Sequence, residues 1–346
     1  MQLKLSYSFI LCLALSFSAY SKEKQKPNIL LIMCDDLGFS DLGSYGGEIK
    51  TPNIDKMAKN GIRFSQFRNT SRCCPSRAAL LTGRSQHNVD MGWMTAVDEH
   101  RPGYRGQISN KVPTIAEVLK TQAYQNYMSG KWHLTLDKSW ENPKTKPNGS
   151  WPTQRGFDQF YGGLSGGGSF WAPKSIARNL TRIPKNKLGE NYYYTHAITK
   201  NAVDFINQHD TKKPMFMYLA HYAPHRPLQA PEERIQKCIN RYTVGYDVLR
   251  QQRLDRQKKL GFFPKSLKLP RHHKDYNGKY PAWKDLNKAK QKNWIREMAT
   301  YAAMVEIVDD GIGEVIKILK AKKMYDNTII VFISDNGATA EGGFIS

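Results

Sequence analysis

Short apolar runs alternate along the chain with stretches in which apolar residues recur every three or four positions. Four runs read as strands. Asn28 to Met33 (NILLIM) is continuously apolar, as expected of a strand buried on both faces. Tyr124 to Ser129 is a weaker run. Pro214 to Ala220 (PMFMYLA) and Thr328 to Ser334 (TIIVFIS) are stronger, the latter clearly β-rich. Helical spacing covers Asn53 to Asn60, which Gly61 is placed to end, then Ser76 to Gly83, Thr114 to Gln122 and Ala197 to Gln208. The strongest helical pattern runs from Ile295 to Lys320. Its stripe of Ile295, Met298, Ala302, Val305, Val308, Ile312, Ile316 and Leu319 reads as core. Strands alternating with helices predict an α/β fold, a large and mainly parallel sheet flanked by helices. Gly162 to Gly168 (GGLSGGG) lacks the spacing of a phosphate-cradling loop and reads as a connection or a pocket wall.

The N-terminus reads differently. Lys4, the apolar stretch Leu5 to Phe17 and the small residues of Ala19-Tyr20-Ser21 form a secretory signal, with cleavage after Ser21. A membrane anchor is disfavoured by the shortness of the run, and a lipoprotein signal through Cys12 by the bulky Ile10-Leu11. Export to the periplasm or the medium follows, with residues 22–346 as one catalytic domain and no stable membrane anchor, since no later run is long and apolar enough to span a bilayer. With 40% hydrophobic and 11% aromatic residues, the chain is not a disordered one. Of the five cysteines, Cys34, Cys73, Cys74 and Cys238 survive cleavage, too few for a disulfide scaffold despite export. The adjacent pair raises the question of what those thiols do.

The formal net charge is +22, and between Arg250 and Lys292 fourteen Lys/Arg face three Asp. This stretch, about 248–292, reads as a solvated basic insertion. The sharper reading is a docking surface for an anionic partner such as a sulfated polysaccharide. Nucleic acid fits the charge alone, but export argues against it and no recognised nucleic-acid motif is present.

Ligands of open parallel sheets bind beyond the carboxyl ends of the strands. There the chain carries Cys34-Asp35-Asp36 after the first run, Gly130-Lys131-Trp132-His133 after the second, His221 and His225 after the third, and Asp335-Asn336 after the fourth. Any one of these aspartates alone is more simply a cap or turn residue. Their repetition at strand ends points to a site. Carboxylates and an amide suit a hard cation, calcium or magnesium, and no close Cys/His spacing suggests zinc. The segment Cys73-Cys74-Pro75-Ser76-Arg77 then opens a helix, which sets Cys73 where backbone N–H groups face an anion and Arg77 one turn on. By composition alone, a pair of buried cysteines before an ordinary helix explains the segment equally well.

Residues 73–84 (CCPSRAALLTGR) resemble the sulfatase signature C-x-P-S-R-x-x-x-L-T-G-R at every fixed position. Further sulfatase-like segments follow in order: Asp35-Asp36-Leu37-Gly38, Thr51-Pro52-Asn53-Ile54-Asp55, Gly130-Lys131-Trp132-His133, Arg155-Gly156-Phe157-Asp158, Ala223-Pro224-His225 and Ser334-Asp335-Asn336-Gly337. The resemblance covers Pro27 to Gly343 and is strongest to the arylsulfatase branch of this alkaline phosphatase-like superfamily. It implies a sulfuric ester hydrolase in which Cys73 becomes formylglycine (3-oxoalanine) through a formylglycine-generating enzyme. The aldehyde hydrate attacks sulfur and displaces the alcohol, and its second hydroxyl then expels sulfate. The resemblance further implies that Asp35, Asp36, Asp335, Asn336 and the converted Cys73 surround calcium, with magnesium as the alternative. It gives Arg77 and Lys131 the sulfate oxygens, His133 the role of base, and His225 either the proton for the leaving alcohol or a hold on the ester oxygen; His221 lacks the Ala-Pro-His context.

Family members carry a further active-site lysine and a smaller C-terminal domain after the Asp-Asn pair. The present sequence ends at Ser346 with no lysine after Asn336, and so reads as C-terminally truncated. Three other readings remain at this stage: a phosphonate or phosphodiester hydrolase with the same signature, a non-catalytic polyanion-binding module, and a thiol enzyme using Cys73. The last leaves the Asp-Asp and Asp-Asn pairs unexplained. Small aryl sulfates and sulfated carbohydrates are both open as substrates, and the basic stretch tilts weakly to the carbohydrate.

Overall fold

A computed structural model describes residues 25–141, 147–270 and 281–339. The signal segment with Cys12, residues 271–280 of the basic stretch and residues beyond 339 lie outside the described residues. The expected strands form β1 (Asn28–Cys34), β2 (Gln125–Gly130), β6 (Met215–Ala220) and β7 (Thr328–Ser334), with β3 (Gln159–Gly163), β4 (Ile176–Arg178) and β5 (Thr181–Arg182) in addition. They make one seven-stranded sheet in the order β5-β4-β3-β2-β6-β1-β7. All pairings from β3 to β7 are parallel; β4 and β5 add on antiparallel.

The expected helices are α1 (Pro52–Asn60), α2 (Cys73–Thr82), α3 (Ile115–Lys120), α4 (Tyr194–Gln208) and α7 (Lys288–Ala321). Between α4 and α7 the chain also forms α5 (Glu232–Tyr242) and α6 (Tyr246–Lys259). Residues 248–259 of the basic stretch are therefore helical, and its last residues open α7. Arg253 of α6 is anchored by Glu48 and Asp41 at 2.6 Å each.

β1 alternates its side chains between two cores, which is why it reads as an unbroken apolar run. Leu30 and Ile32 pack with α4, α5 and α7; Leu31 and Met33 pack with α2 and α3. Buried in full, each is worth about 2–3 kcal/mol of transfer free energy. β2 lies between β3 and β6 in the middle of the sheet, yet its pattern was weak. The reason is that Asn126 and Ser129 are buried polar residues with fixed partners. Asn126 Nδ2 donates to the carbonyls of Ala116 (2.7 Å) and Gly156 (2.9 Å), and Ser129 Oγ to Ile198 (2.7 Å). These bonds tie the helices to the strand at the cost of its apolar signal.

Two of the family-like segments brace this frame. Asp309 of α7 accepts from the backbone N–H groups of Asn53 (3.1 Å) and Ile54 (2.8 Å), capping α1. Buried Arg155 donates to Glu117 and to the carbonyls of Ser109 and Val112.

Candidate active site

Strand register sets the site. Met33 and Gly130 both pair with Ala220, and Cys34 pairs with Ser334, so the adjacent strands β2, β6, β1 and β7 end level to within one residue. The next residues, Asp35, Lys131, His221 and Asp335, leave the sheet along one rim. The ladder continues one step beyond them: Lys131 N–H donates to Ala220, His221 N–H to Met33 and Asp335 N–H to Cys34.

Above this rim lies a cleft of about 610 Å³ lined by Asp36, Cys73, His133, His225 and Asn336 among others. α2 opens at Cys73, with Arg72 as its extended N-cap residue and Gly83 closing it in the left-handed conformation. Arg77, fully buried, donates through Nε (3.0 Å) and Nη2 (2.8 Å) to Asp335 Oδ2 and through Nη1 to the Lys131 carbonyl (2.9 Å). Its Nη2 is 3.7 Å from Asp35 Oδ1. Lys131 Nζ donates to Asp35 Oδ2. Asn336 Nδ2 donates to Asp36 Oδ1 at 2.6 Å, and His225 Nε2 stands 3.6 Å from Asp36 Oδ2. Cys74 Sγ is 3.1 Å from His133 Nε2. The residues expected to form the site are thus together, except His221, which does not line the cleft and whose two ring nitrogens are buried without partners.

Electrostatics follow from burial. Burial pushes Asp35 up to about 6 against the pull of Lys131 and Arg77. It pushes Asp335 up to about 7, with Asp35 adding to the rise. Asp36 is raised by burial too, against His225 and Asn336. Burial holds His133 and His225 below the ordinary histidine value, so both rings are neutral at pH 7. Burial also works against a charged Lys131, but Asp35 overcomes it and keeps the ammonium.

The carboxylates of Asp35, Asp36 and Asp335 offer oxygens that all lie within 4.8 Å of one another. Asp35 Oδ1 and Asn336 Oδ1 are buried without hydrogen-bond partners. Orphaned hard oxygens on a crowded acidic cluster fit a divalent cation such as calcium or magnesium.

Some lining residues carry no sequence signal. The Tyr222 ring stacks on His225 with 5.0 Å between centroids, and its hydroxyl accepts from the Gly168 N–H at 2.8 Å. Lys131 Nζ lies over the same ring at 5.4 Å. Gly166 and Gly167 line the cleft, so the glycine-rich segment is a pocket wall. A Cβ on Gly166 would sit 1.9 Å from His133 Cε1. Arg72 lines the mouth, with its guanidinium 4.8 Å above the Trp93 ring.

The profile of the family described as Sulfatase matches residues 27–344. The chain is 36% identical to an uncharacterized sulfatase of Schizosaccharomyces pombe, over 91% of this chain and 58% of the relative. It is 33% identical to the arylsulfatase of Klebsiella aerogenes, over 95% of this chain and 70% of that enzyme. Among solved structures it resembles Ps i-CgsB in complex with k-i-k-neocarrahexaose, with 30% identity and a TM-score of 0.64 over 92% of this chain and 60% of that one. The chain therefore spans little more than half to about two thirds of the length of these proteins.

Proposed function

The chain belongs to the sulfatase family, and from that premise we propose that it hydrolyses sulfate esters in the cleft above β1, β2, β6 and β7. One observation carries the reading. Five separate segments bring the oxygens of Asp35, Asp36, Asp335 and Asn336, the cations Arg77 and Lys131, and the imidazoles His133 and His225 together with Cys73 at the head of α2. No structural role requires three buried carboxylates on one rim, since burial alone disfavours each.

Asp35, Asp36, Asp335 and Asn336 would hold a divalent cation, calcium first and magnesium second. When bound, such a cation polarises a sulfate oxygen and favours deprotonation of a nearby hydroxyl. Cys73, once converted to formylglycine, supplies a hydrated aldehyde as nucleophile. Arg77 and Lys131 fix the carboxylates and keep positive charge beside the sulfate oxygens. Neutral His133, held against the nucleophile's helix, takes a proton during sulfate release. His225, aligned by Tyr222 and next to Asp36, hands a proton to the leaving oxygen from its protonated form, which the Asp36 charge favours against burial.

Sulfated carbohydrate is the favoured substrate class. The similar protein Ps i-CgsB was solved with a neocarrahexaose, and the open cleft mouth has an exposed Trp93 with Arg72 above it. Among the described residues no helix is long and apolar enough to cross a membrane, and export through the N-terminal signal agrees with this substrate. The test is sulfate release by full-length protein whose Cys73 peptide has lost about 18 Da, the arithmetic of replacing CH2–SH by CHO at the nucleophile. Aryl sulfate and sulfated oligosaccharides are compared with C73A as control. Sulfate release that persists in C73A, or none from any ester by the converted chain, overturns the reading.

A further inference from the structure

The same cleft holds a second donor set, in which Cys73 and His133 are joined by Cys74, a thiol to which the sulfate chemistry gives no role. Cys73 Sγ, Cys74 Sγ and a His133 ring nitrogen all lie within 4.8 Å of one another. Cys74 is fully buried, while Cys73 and His133 line the cleft. We propose that the chain, while Cys73 is still a thiol, binds a thiophilic divalent cation of the zinc type through Cys73 Sγ, Cys74 Sγ and His133 Nε2, with the fourth position open to the cleft.

The geometry is close to what such a cation needs. Tetrahedral zinc bonds of about 2.3 Å to sulfur and 2.0–2.1 Å to nitrogen imply a sulfur–nitrogen separation of about 3.5 Å and a sulfur–sulfur separation of about 3.8 Å. Cys74 Sγ and His133 Nε2 stand 3.1 Å apart, so they part by only about 0.4 Å on binding, well within a rotamer's adjustment. His133 Nδ1 has no hydrogen-bond partner. Nothing in the fold therefore commits the ring proton to Nε2, which is free to present its lone pair. Each thiol gives up its proton on ligation, and the two thiolates neutralise the cation's charge. The cleft provides the access path.

Softness separates this centre from its neighbour. Thiolate and imidazole select zinc or cobalt, whereas the oxygens of Asp35, Asp36 and Asp335 select calcium or magnesium. Conversion of Cys73 removes one sulfur and with it the soft centre. The chain thus carries a metal site that belongs to its unconverted state alone. The claim does not depend on turnover, so it and the sulfate reading stand or fall separately.

The probe is Co2+, titrated into full-length protein shown by peptide mass to retain the Cys73 thiol, with excess Ca2+ present to fill the oxygen centre. We expect one equivalent to bind with a near-ultraviolet thiolate-to-cobalt charge-transfer band, and Zn2+ to bleach it. The band should vanish in C73S and in C74S, with cobalt affinity falling by about tenfold or more, and should persist in D335N. Circular dichroism of both serine variants establishes that they are folded. Binding without the band, binding that Ca2+ abolishes, or an unchanged band in folded C74S would each overturn the proposal.

Discussion

Gly166→Ala probes the active site through a single methyl group. The added Cβ would lie 1.9 Å from His133 Cε1 and 2.1 Å from Nε2. Non-bonded carbons rest at about 3.5 Å, so the ring must retreat by about 1.5 Å. His133 is 3% exposed and enclosed on its other sides, so the retreat displaces the imidazole from its place beside α2. Misplacing a catalytic group by about 1 Å costs about a hundredfold in rate. Gly166 has no left-handed backbone to strain. The next residue supplies the control: a Cβ on Gly167 meets only the Tyr222 hydroxyl, at 3.6 Å, an ordinary contact. Converted protein is therefore assayed for sulfate release in both variants, after thermal melts establish that each is folded. Gly166→Ala should lower kcat by about a hundredfold with little change in KM, and Gly167→Ala should leave both nearly unchanged. Equal turnover in the two folded variants would refute the role given to His133.

Calcium should stabilise the protein by about 2.7 kcal/mol at a hundred times its dissociation constant, read as a rise in Tm that D335N abolishes. Arg77→Met leaves Asp335 and Asp35 buried beside one another without the guanidinium that links them; in metal-free buffer, urea unfolding should show a loss of about 3–5 kcal/mol. His221 gives an acid-stability signature. Burial depresses its pKa to about 3, so between the ordinary value of about 6.5 and pH 3 the unfolded chain binds the proton and the folded chain does not. Its contribution is complete above pH 6.5 and is lost as pH falls, by about 2 kcal/mol at pH 5. His221→Gln should flatten the acid side of the urea-midpoint profile between pH 7 and pH 5, and an unchanged slope would contradict the burial argument.

β1 and β6 were legible because they write their burial directly into apolar runs, and β7, an edge strand with no fully buried residue, through its β-branched composition. β2 was fainter because Asn126 and Ser129 serve as buried donors to the neighbouring helices. β4 and β5 are too short to leave a pattern. α6 (YDVLRQQRLDRQKK) buries Tyr246, Leu249 and Leu254 but is otherwise polar, so its charge outweighed its periodicity and it read as an insertion. The rim residues were legible for a geometric reason: in a parallel sheet with level ends, the residue after each strand has nowhere else to go. Tyr222 and the Cys74–His133 contact were not, because loop paths bring them in, while the Gly162–Gly168 segment was read as a connection or a pocket wall and lines the cleft through Gly166 and Gly167. The same paths put Asp36 and His133 in left-handed backbone, with φ of 61° and 56°, a conformation bulky residues rarely adopt. The segments around Asn53 and Arg155 matched the family as well as the site segments did, yet they hold helices in place. A motif match alone does not separate chemistry from scaffold.

Charge on the rim bears on which ester the site takes. Asp35, Asp36 and Asp335 face Arg77 and Lys131, while His133 and His225 are neutral by burial. A bound divalent cation keeps all three acids ionised, so three acids against two bases and the cation leave one positive charge. A sulfate monoester carries a single negative charge and brings the centre to neutrality. A phosphodiester does the same. A phosphate monoester, with a second pKa near 6, carries almost two at neutral pH. Its extra charge remains uncompensated beside the acids, and one unit charge at about 4 Å is worth about 4 kcal/mol at an effective dielectric constant of 20. The size of the ester does not discriminate, since sulfur and phosphorus tetrahedra are alike, so the electrostatic difference decides. Converted protein should therefore show a kcat/KM for an aryl phosphate monoester at least about a hundredfold below that for the matching aryl sulfate, with an aryl phosphodiester close to the sulfate. Raising the pH from 5, where the monoester is mostly monoanionic, to 7 should widen the gap between monoester and sulfate. Comparable turnover of monoester and sulfate at pH 7 would mean that the charge count on this rim is wrong.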